Sequence, residues 1–237
     1  MRFSILMACF LLVAAPGCET GQWKEVASRM AGGRGGKLDT ETVAAGLRDA
    51  LRVGTDRAVE EASSRGGYLE NSDLRISLPG RLEKMADTLR TVGLGGQVDA
   101  LEKKMNRAAE DAASEAAPVF IEAISDITFE DARGILTGGE TAATDYLREA
   151  TSGELKRRYR PIVEGHLESV GVIDLYNRLL NRYQSVPLAP ELDFRPREYV
   201  TEKALDGLFA LLAEEEQKIR KDPAARTTAL LKRVFGK

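Results

Sequence analysis

Apolar residues recur every three or four positions through most of the chain from about residue 38 onward. Such spacing is typical of helices that bury one face, and an early example is the stripe formed by Val43, Leu47, Leu51 and Ala58. Glycine pairs and prolines interrupt the pattern, and no segment shows the convincing alternation of a β-strand. The pattern therefore predicts an all-α fold, a single multi-helix bundle of eight to ten helices without a β-sheet.

Side chains that cap helices indicate where two of these helices begin. Thr128 is followed three residues later by Asp131, which resembles a capping box, and Thr151 with Glu154 is a full capping box. We therefore expect one helix to start just after Thr128. We also expect a new helix to start at Thr151, separate from a helix that ends near residue 150.

The first 17 residues have the pattern of a targeting signal. Arg2 is their only charge, and the apolar run at 3–15 is shorter than the ~20 residues that span a bilayer. The small residues just before Cys18 resemble the lipobox of bacterial lipoproteins. That resemblance implies that Cys18 is acylated on sulfur and becomes the mature N-terminus. The alternative is an ordinary secretory signal cleaved nearby, with Cys18 a spare thiol.

This organisation predicts three segments: a signal peptide at 1–17, a lipid-anchored segment with a Gly-rich tether at 18–37, and an all-helical domain at 38–237. More than one acyl chain anchors a protein stably to a membrane. In enteric bacteria an aspartate after the acylated cysteine resembles an inner-membrane retention signal, and Glu19 stands there instead. We therefore expect a periplasm-facing protein of the bacterial envelope, on the outer rather than the inner membrane.

Composition narrows the classes of function. The chain has 34 basic and 37 acidic residues, a net charge of −3, and so lacks the basic excess of most nucleic-acid binders. One histidine and two cysteines are too few for a multi-histidine metal site, a structural zinc cluster or a disulfide scaffold. We therefore expect no nucleic-acid partner, no metal site and no cofactor.

Several longer stretches carry a family resemblance. They are LRVGTDRAV at 51–59, MNRAAE at 105–110, EDARGIL at 130–136, GG at 138–139, TAATDY at 141–146, VTEKALDGLF at 200–209, DPAARTT at 222–228 and VFG at 234–236. In aggregate they resemble the bacterial family catalogued as domain of unknown function 4197, here preceded by a lipoprotein-type signal peptide. The resemblance implies an exported helical envelope protein, and it supplies no activity and no catalytic residue.

Two ionisable residues fall on the apolar stripes of their predicted helices. His166 is either a general base or proton-sensitive switch, or a core-edge histidine bound to a carbonyl or carboxylate. Glu215 lies within the apolar face of the helix predicted at 197–221, whereas Glu214 faces outward and Glu216 lies at the margin. A buried carboxylate needs a partner or a raised pKa. Glu215 is therefore either a structural carboxylate paired with arginine or a general acid in a cleft.

The densest basic run, at 156–160, suggests a binding surface. It contains Arg158 and Arg160, and the next predicted helix brings Arg178 and Arg182 alongside. Because arginine suits phosphate groups, these residues predict an anion or lipid-headgroup site. The alternative is a solvated face whose arginines form salt bridges with nearby glutamates.

A second candidate binding segment surrounds the glycine pair at 138–139. Thr141, Thr144 and Asp145 crowd the start of a predicted helix, where the helix dipole favours hydrogen-bond acceptors. This is either a small-ligand loop, with Asp145 as a contact, or simple capping of a tight turn between helices.

These observations predict a lipid-anchored protein that acts by binding or scaffolding, without catalysis. Its partners would be the membrane, through the acyl chains, and an envelope protein or lipid. The first alternative is a carrier of a small apolar ligand, which requires an enclosed cavity of hundreds of Å³. The second alternative is an envelope hydrolase that uses Glu215 as its general acid.

Overall fold

The computed structural model describes residues 40–169, 171–185 and 194–222. These residues form eight helices and contain no β-strand, which confirms the all-α prediction. The helices are α1 (Thr40–Ser63), α2 (Gly80–Thr91), α3 (Gly95–Ala113), α4 (Ala116–Ser125), α5 (Phe129–Thr137), α6 (Ala142–Ser169), α7 (Val172–Gln184) and α8 (Pro196–Lys221). The predicted signal peptide, Cys18 and the Gly-rich tether lie outside the described residues.

Helix α8 is central to the bundle, since it packs against α1, α3 and α6. Its buried face includes Val200, Leu208 and Leu212, which the apolar stripe of the sequence indicates. Helix α3 presents a row of fully buried alanines, which lets its neighbours approach closely. No helix in the described part of the chain has both the length and the apolar character needed to cross a membrane.

The two capping signals have opposite outcomes. Thr128 caps α5, and its side chain and that of Asp131 form the reciprocal hydrogen bonds of a capping box, as predicted. The predicted break at Thr151 is wrong, because α6 runs without interruption from Ala142 to Ser169. There the Thr151 hydroxyl donates to the carbonyl of Leu147 at 2.6 Å, while the Glu154 carboxylate accepts from Arg157 and Arg158.

One face of α3 holds the connection between α1 and α2. Glu102, Asn106 and Glu110 are spaced four residues apart, so they lie on one side of the helix, and all three are buried. Glu102 accepts from the backbone N–H of Leu78, and Asn106 binds both the N–H and the carbonyl of Ile76. These side chains form the hydrogen bonds that the extended backbone of the connection would otherwise form with a neighbouring strand in a β-sheet.

Tyr68 anchors the same connection in the core. Its hydroxyl donates to the carbonyl of Ala204 on α8 at 2.5 Å, and the side chain is fully buried. The ring lies so close to α8 that a Cβ at Gly207 would be 2.6 Å from Cε1 of Tyr68. Gly207 is thus required by a close approach of the ring to the helix backbone.

Candidate functional site

An open cleft of about 590 Å³ lies where the C-terminal end of α1 meets α3 and the end of α6. We call it the basic cleft, because cationic side chains dominate its lining. The lining residues are Ser63, Arg65, Ala100, Lys103, Lys104, Arg107, Glu110, Asp111 and His166. Three separate parts of the sequence therefore meet at this surface.

Both carboxylates of the basic cleft are already engaged within the protein. Glu110 is buried, accepts from the backbone N–H groups of Tyr68 and Leu69, and forms a short ion pair with Arg107. Asp111 lies 2.5 Å from Nδ1 of His166. The cleft therefore holds more positive charge than its own carboxylates neutralise.

Two cations of the basic cleft are open to a ligand. Arg65 and Lys103 are exposed, and neither forms an ion pair with any residue that the structure describes. Sequence reasoning missed Arg65, Lys103, Lys104 and Arg107, since they form no continuous run. The available signal was the spacing of the last three on α3, which places them together on one flank of the helix.

Of the candidate residues that fall within the described ranges, His166 alone lines the basic cleft. Its side chain is 21% exposed and its Nδ1 faces the Asp111 carboxylate, which is the arrangement expected of a core-edge histidine. The contact fixes the orientation of the imidazole on the cleft wall. His166 can therefore contribute a positioned polar group to a ligand bound there.

The arginines predicted to form one anion site are dispersed by the fold. Arg158 pairs with Glu154 on its own helix, and Arg160 pairs with Glu198 on α8. Hydrogen bonds from Arg158 and Arg157 lower the pKa of the Glu154 carboxyl. Neither Arg158 nor Arg160 lines the basic cleft, and Arg182 lines a different groove. The basic run at 156–160 is thus mainly a salt-bridged face.

Asp145 is exposed and accepts a hydrogen bond from the Thr141 hydroxyl at 3.2 Å. The start of α6 is instead occupied from within the protein by Glu216 of α8. Its carboxylate accepts from the backbone N–H groups of Ala143 and Thr144 at 3.0 and 2.8 Å. The free amides that would bind a ligand at this helix end are therefore already satisfied.

Glu215 is buried and has two cationic partners. Arg57 lies 3.3 Å from one carboxylate oxygen, and Lys218 lies 2.7 Å from the other. The hydrogen bond with Glu215 raises the pKa of the Lys218 ammonium group. This geometry fits the structural interpretation of Glu215, because both oxygens are already bound to cations.

The chain matches a model of a known protein family. No curated protein and no solved structure matches the chain. A family model described as "Protein of unknown function (DUF4197)" matches residues 37–236. That match covers the whole described bundle, including the basic cleft and the contacts of Glu215 and Glu216. The chain therefore belongs to the DUF4197 family of proteins of unknown function.

Proposed function

We propose that this protein is an exported, lipid-anchored component of the bacterial envelope that binds an anionic ligand in the basic cleft, without catalysis. The observation that carries the proposal is the excess of cations in that cleft. Arg65 and Lys103 have no carboxylate partner among the described residues, although the whole chain has a net charge of −3. A local positive cleft on an acidic protein attracts anions to one place on its surface.

The position of the cleft suits a protein tethered at its N-terminus. Thr40, where α1 begins, is separated from the cleft residue Ser63 by 23 residues of the helix. At 1.5 Å per residue, the two ends of α1 are about 35 Å apart. The chain therefore enters this helix at the end opposite the basic cleft.

The hydrolase alternative gains no support from the geometry. Both oxygens of Glu215 are already bound by cationic side chains of the protein, so neither oxygen is left free to contact a substrate. In the basic cleft, Asp111 and His166 resemble two members of a catalytic triad. The Ser63 hydroxyl, however, donates to the carbonyl of Glu60, and no hydrogen bond joins it to His166 in the described structure.

The carrier alternative is also unsupported in the part of the chain described. An apolar cavity between α1, α6 and α8, lined by residues such as Leu47 and Leu212, has a volume of only about 20 Å³. That is room for one water molecule. Small-molecule pockets usually measure about 300–1,000 Å³, so this cavity cannot hold an apolar cargo.

Anchoring is tested by replacing Cys18 with serine. We expect wild-type protein to sediment with membranes and to incorporate a fatty-acid label. The Cys18→Ser variant should be soluble and unlabelled, because it lacks the cysteine sulfur to which the proposed anchor is attached. Circular dichroism of both proteins should show the same helical content, since residue 18 precedes the bundle. A wild-type protein without label that sediments no differently from the variant would refute the anchor.

Ligand binding is tested with inorganic pyrophosphate and the mature full-length chain in detergent, by calorimetric titration. The double variant Arg65→Ala/Lys103→Ala should bind at least about tenfold more weakly, because it loses two charge-assisted contacts. Lys84→Ala, which removes an exposed lysine of α2 outside the cleft, is the control and should bind like wild type. Equal affinities for all three proteins, or no binding by wild type, would contradict the anion site.

A further inference from the structure

A second groove, which shares helix α3 with the basic cleft, is also cationic. It has a volume of about 580 Å³ and is lined by Leu94, Gln97, Arg178, Asn181, Arg182 and Ser185. We call it the arginine groove. Arg178 and Arg182 are one turn apart on α7, so they project from the same side of that helix. Both are exposed, and neither has an ion-pair partner in the described ranges.

The two depressions follow one another along α3. Gln97 lines the arginine groove and Ala100 lines the basic cleft, and residues three apart on a helix are surface neighbours. From Gln97 to Arg107 the rise along the helix axis is about 15 Å. Helix α7, which carries the two groove arginines, packs against α3. Together the two depressions therefore form one elongated cationic track.

The charges of this track exceed what a single small anion can use. Among the residues that the structure describes, its linings contain six lysines and arginines and two carboxylates, Glu110 and Asp111. Glu110 is occupied by Arg107 and by backbone amides, and Asp111 is occupied by His166. One phosphate group bound beside Lys103 would leave Arg178 and Arg182 without a counter-charge.

We infer that the ligand is a linear chain of phosphate groups that lies along α3 and contacts the basic cleft and the arginine groove together. This inference rests on the proposed anion-binding function and specifies its ligand class. Arginine favours phosphate because its planar guanidinium can donate two parallel hydrogen bonds to phosphate oxygens. Lysines supply further positive charge without a fixed geometry. A chain of phosphates places charge at both ends of the track in one molecule.

The test compares pyrophosphate with linear polyphosphate of about 15 units, using the mature full-length chain in detergent and expressing affinity per phosphate group. Wild type should bind polyphosphate at least about tenfold more tightly than pyrophosphate. Once one part of the polyphosphate is bound in the basic cleft, its binding to the arginine groove is an intramolecular step. The double variant Arg178→Ala/Arg182→Ala should lose this gain and keep its pyrophosphate affinity. The double variant Lys84→Ala/Arg133→Ala removes two exposed cations elsewhere and should behave like wild type.

The outcomes separate this inference from the function on which it rests. If pyrophosphate binds but polyphosphate binds no more tightly, or if Arg178→Ala/Arg182→Ala keeps the gain, the extended track is refuted and the basic cleft remains an anion site. If wild type binds neither probe, the proposed function fails as well. In a third arm, vesicles containing phosphatidylglycerol compete with polyphosphate. Binding to vesicles that excess polyphosphate does not displace would assign the track to a membrane surface and overturn the inference.

Discussion

Replacing Glu216 with alanine should lower the free energy of unfolding by about 3–5 kcal/mol, because it leaves buried polar groups without their partner. One carboxylate oxygen accepts from the backbone N–H of Ala143, and the other accepts from the N–H and the hydroxyl of Thr144. Arg220 donates to the same carboxylate at 2.9 Å and is itself only 17% exposed. Loss of Glu216 would therefore uncap α6 and remove the carboxylate that binds the largely buried guanidinium of Arg220.

Urea unfolding followed by circular dichroism measures this effect, and two neighbouring glutamates serve as graded controls. Glu214 is exposed, so Glu214→Ala should change stability by less than about 0.5 kcal/mol. Glu215→Ala should fall between the two, because its partners Arg57 and Lys218 are 38% and 53% exposed and can regain water. If Glu216→Ala proved no more destabilising than Glu214→Ala, α6 would not depend on this cap.

The contrast between Glu215 and Glu216 shows which buried residues the helical periodicity of the sequence can predict and which it cannot. The apolar stripe of α8 correctly predicts that Glu215 is buried and Glu214 is exposed, because both positions follow from the angle around one helix. Glu216 was predicted at the margin, yet it is 7% exposed. It is buried because the start of α6 abuts α8 at that point. The docking of one helix end on another helix is a tertiary contact that a helical repeat does not encode.

The two capping signals also show that a local sequence pattern does not determine the structure by itself. Thr128–Asp131 and Thr151–Glu154 have the same spacing, but only the first starts a helix. A threonine inside a helix can satisfy its hydroxyl by bonding the carbonyl four residues earlier, as Thr151 does with Leu147. The side chain of Glu154 likewise finds arginines on the next turn. When a local pattern is compatible with two structures, the packing of the surrounding helices determines which one forms.

The candidate binding surface was the least predictable feature, for a physical reason. The basic run at 156–160 was predicted as a binding surface because its charges are adjacent in the chain. In the fold, Arg158 and Arg160 are neutralised by Glu154 and Glu198. The basic cleft instead combines Arg65, the lysines of α3 and His166, which are far apart in sequence. Whether a basic side chain remains without an ion pair depends on which acidic side chains the fold places beside it. The pattern of a single sequence does not show that.

Replacing Asn106 with aspartate should destabilise the bundle by about 3–5 kcal/mol at neutral pH, although the two side chains have the same shape. The Asn106 side-chain oxygen accepts from the N–H of Ile76 at 2.8 Å, and its amide nitrogen donates to the carbonyls of Ile76 and Glu102 at 2.9 and 2.8 Å. Asn106 is fully buried. An aspartate would place an ionised oxygen against two carbonyl oxygens, so both would repel it.

The variant should also acquire a pH dependence of known sign. Burial and the two carbonyls disfavour the charged carboxylate, so the pKa of residue 106 in the folded variant should rise above the value of about 3.9 for unfolded aspartate. The protonated form then stabilises the fold fully below that unfolded value, and this stability is lost as the pH rises through the folded pKa. Near pH 4 the deficit relative to wild type should shrink to about 1–2 kcal/mol, since the protonated acid can donate to one carbonyl.

Asn71→Asp is the matched control for Asn106→Asp, because Asn71 lies in the same connection and undergoes the same chemical change. Its side-chain oxygen only accepts from the N–H of Asp73, at 3.0 Å, and a carboxylate can do this equally well. Its stability should therefore change by less than about 0.5 kcal/mol at any pH between 4 and 8. Urea titrations of both variants across this range decide the matter. Equal deficits, or a deficit in Asn106→Asp that does not shrink on acidification, would show that the contacts between Asn106 and Ile76 do not hold the connection against α3.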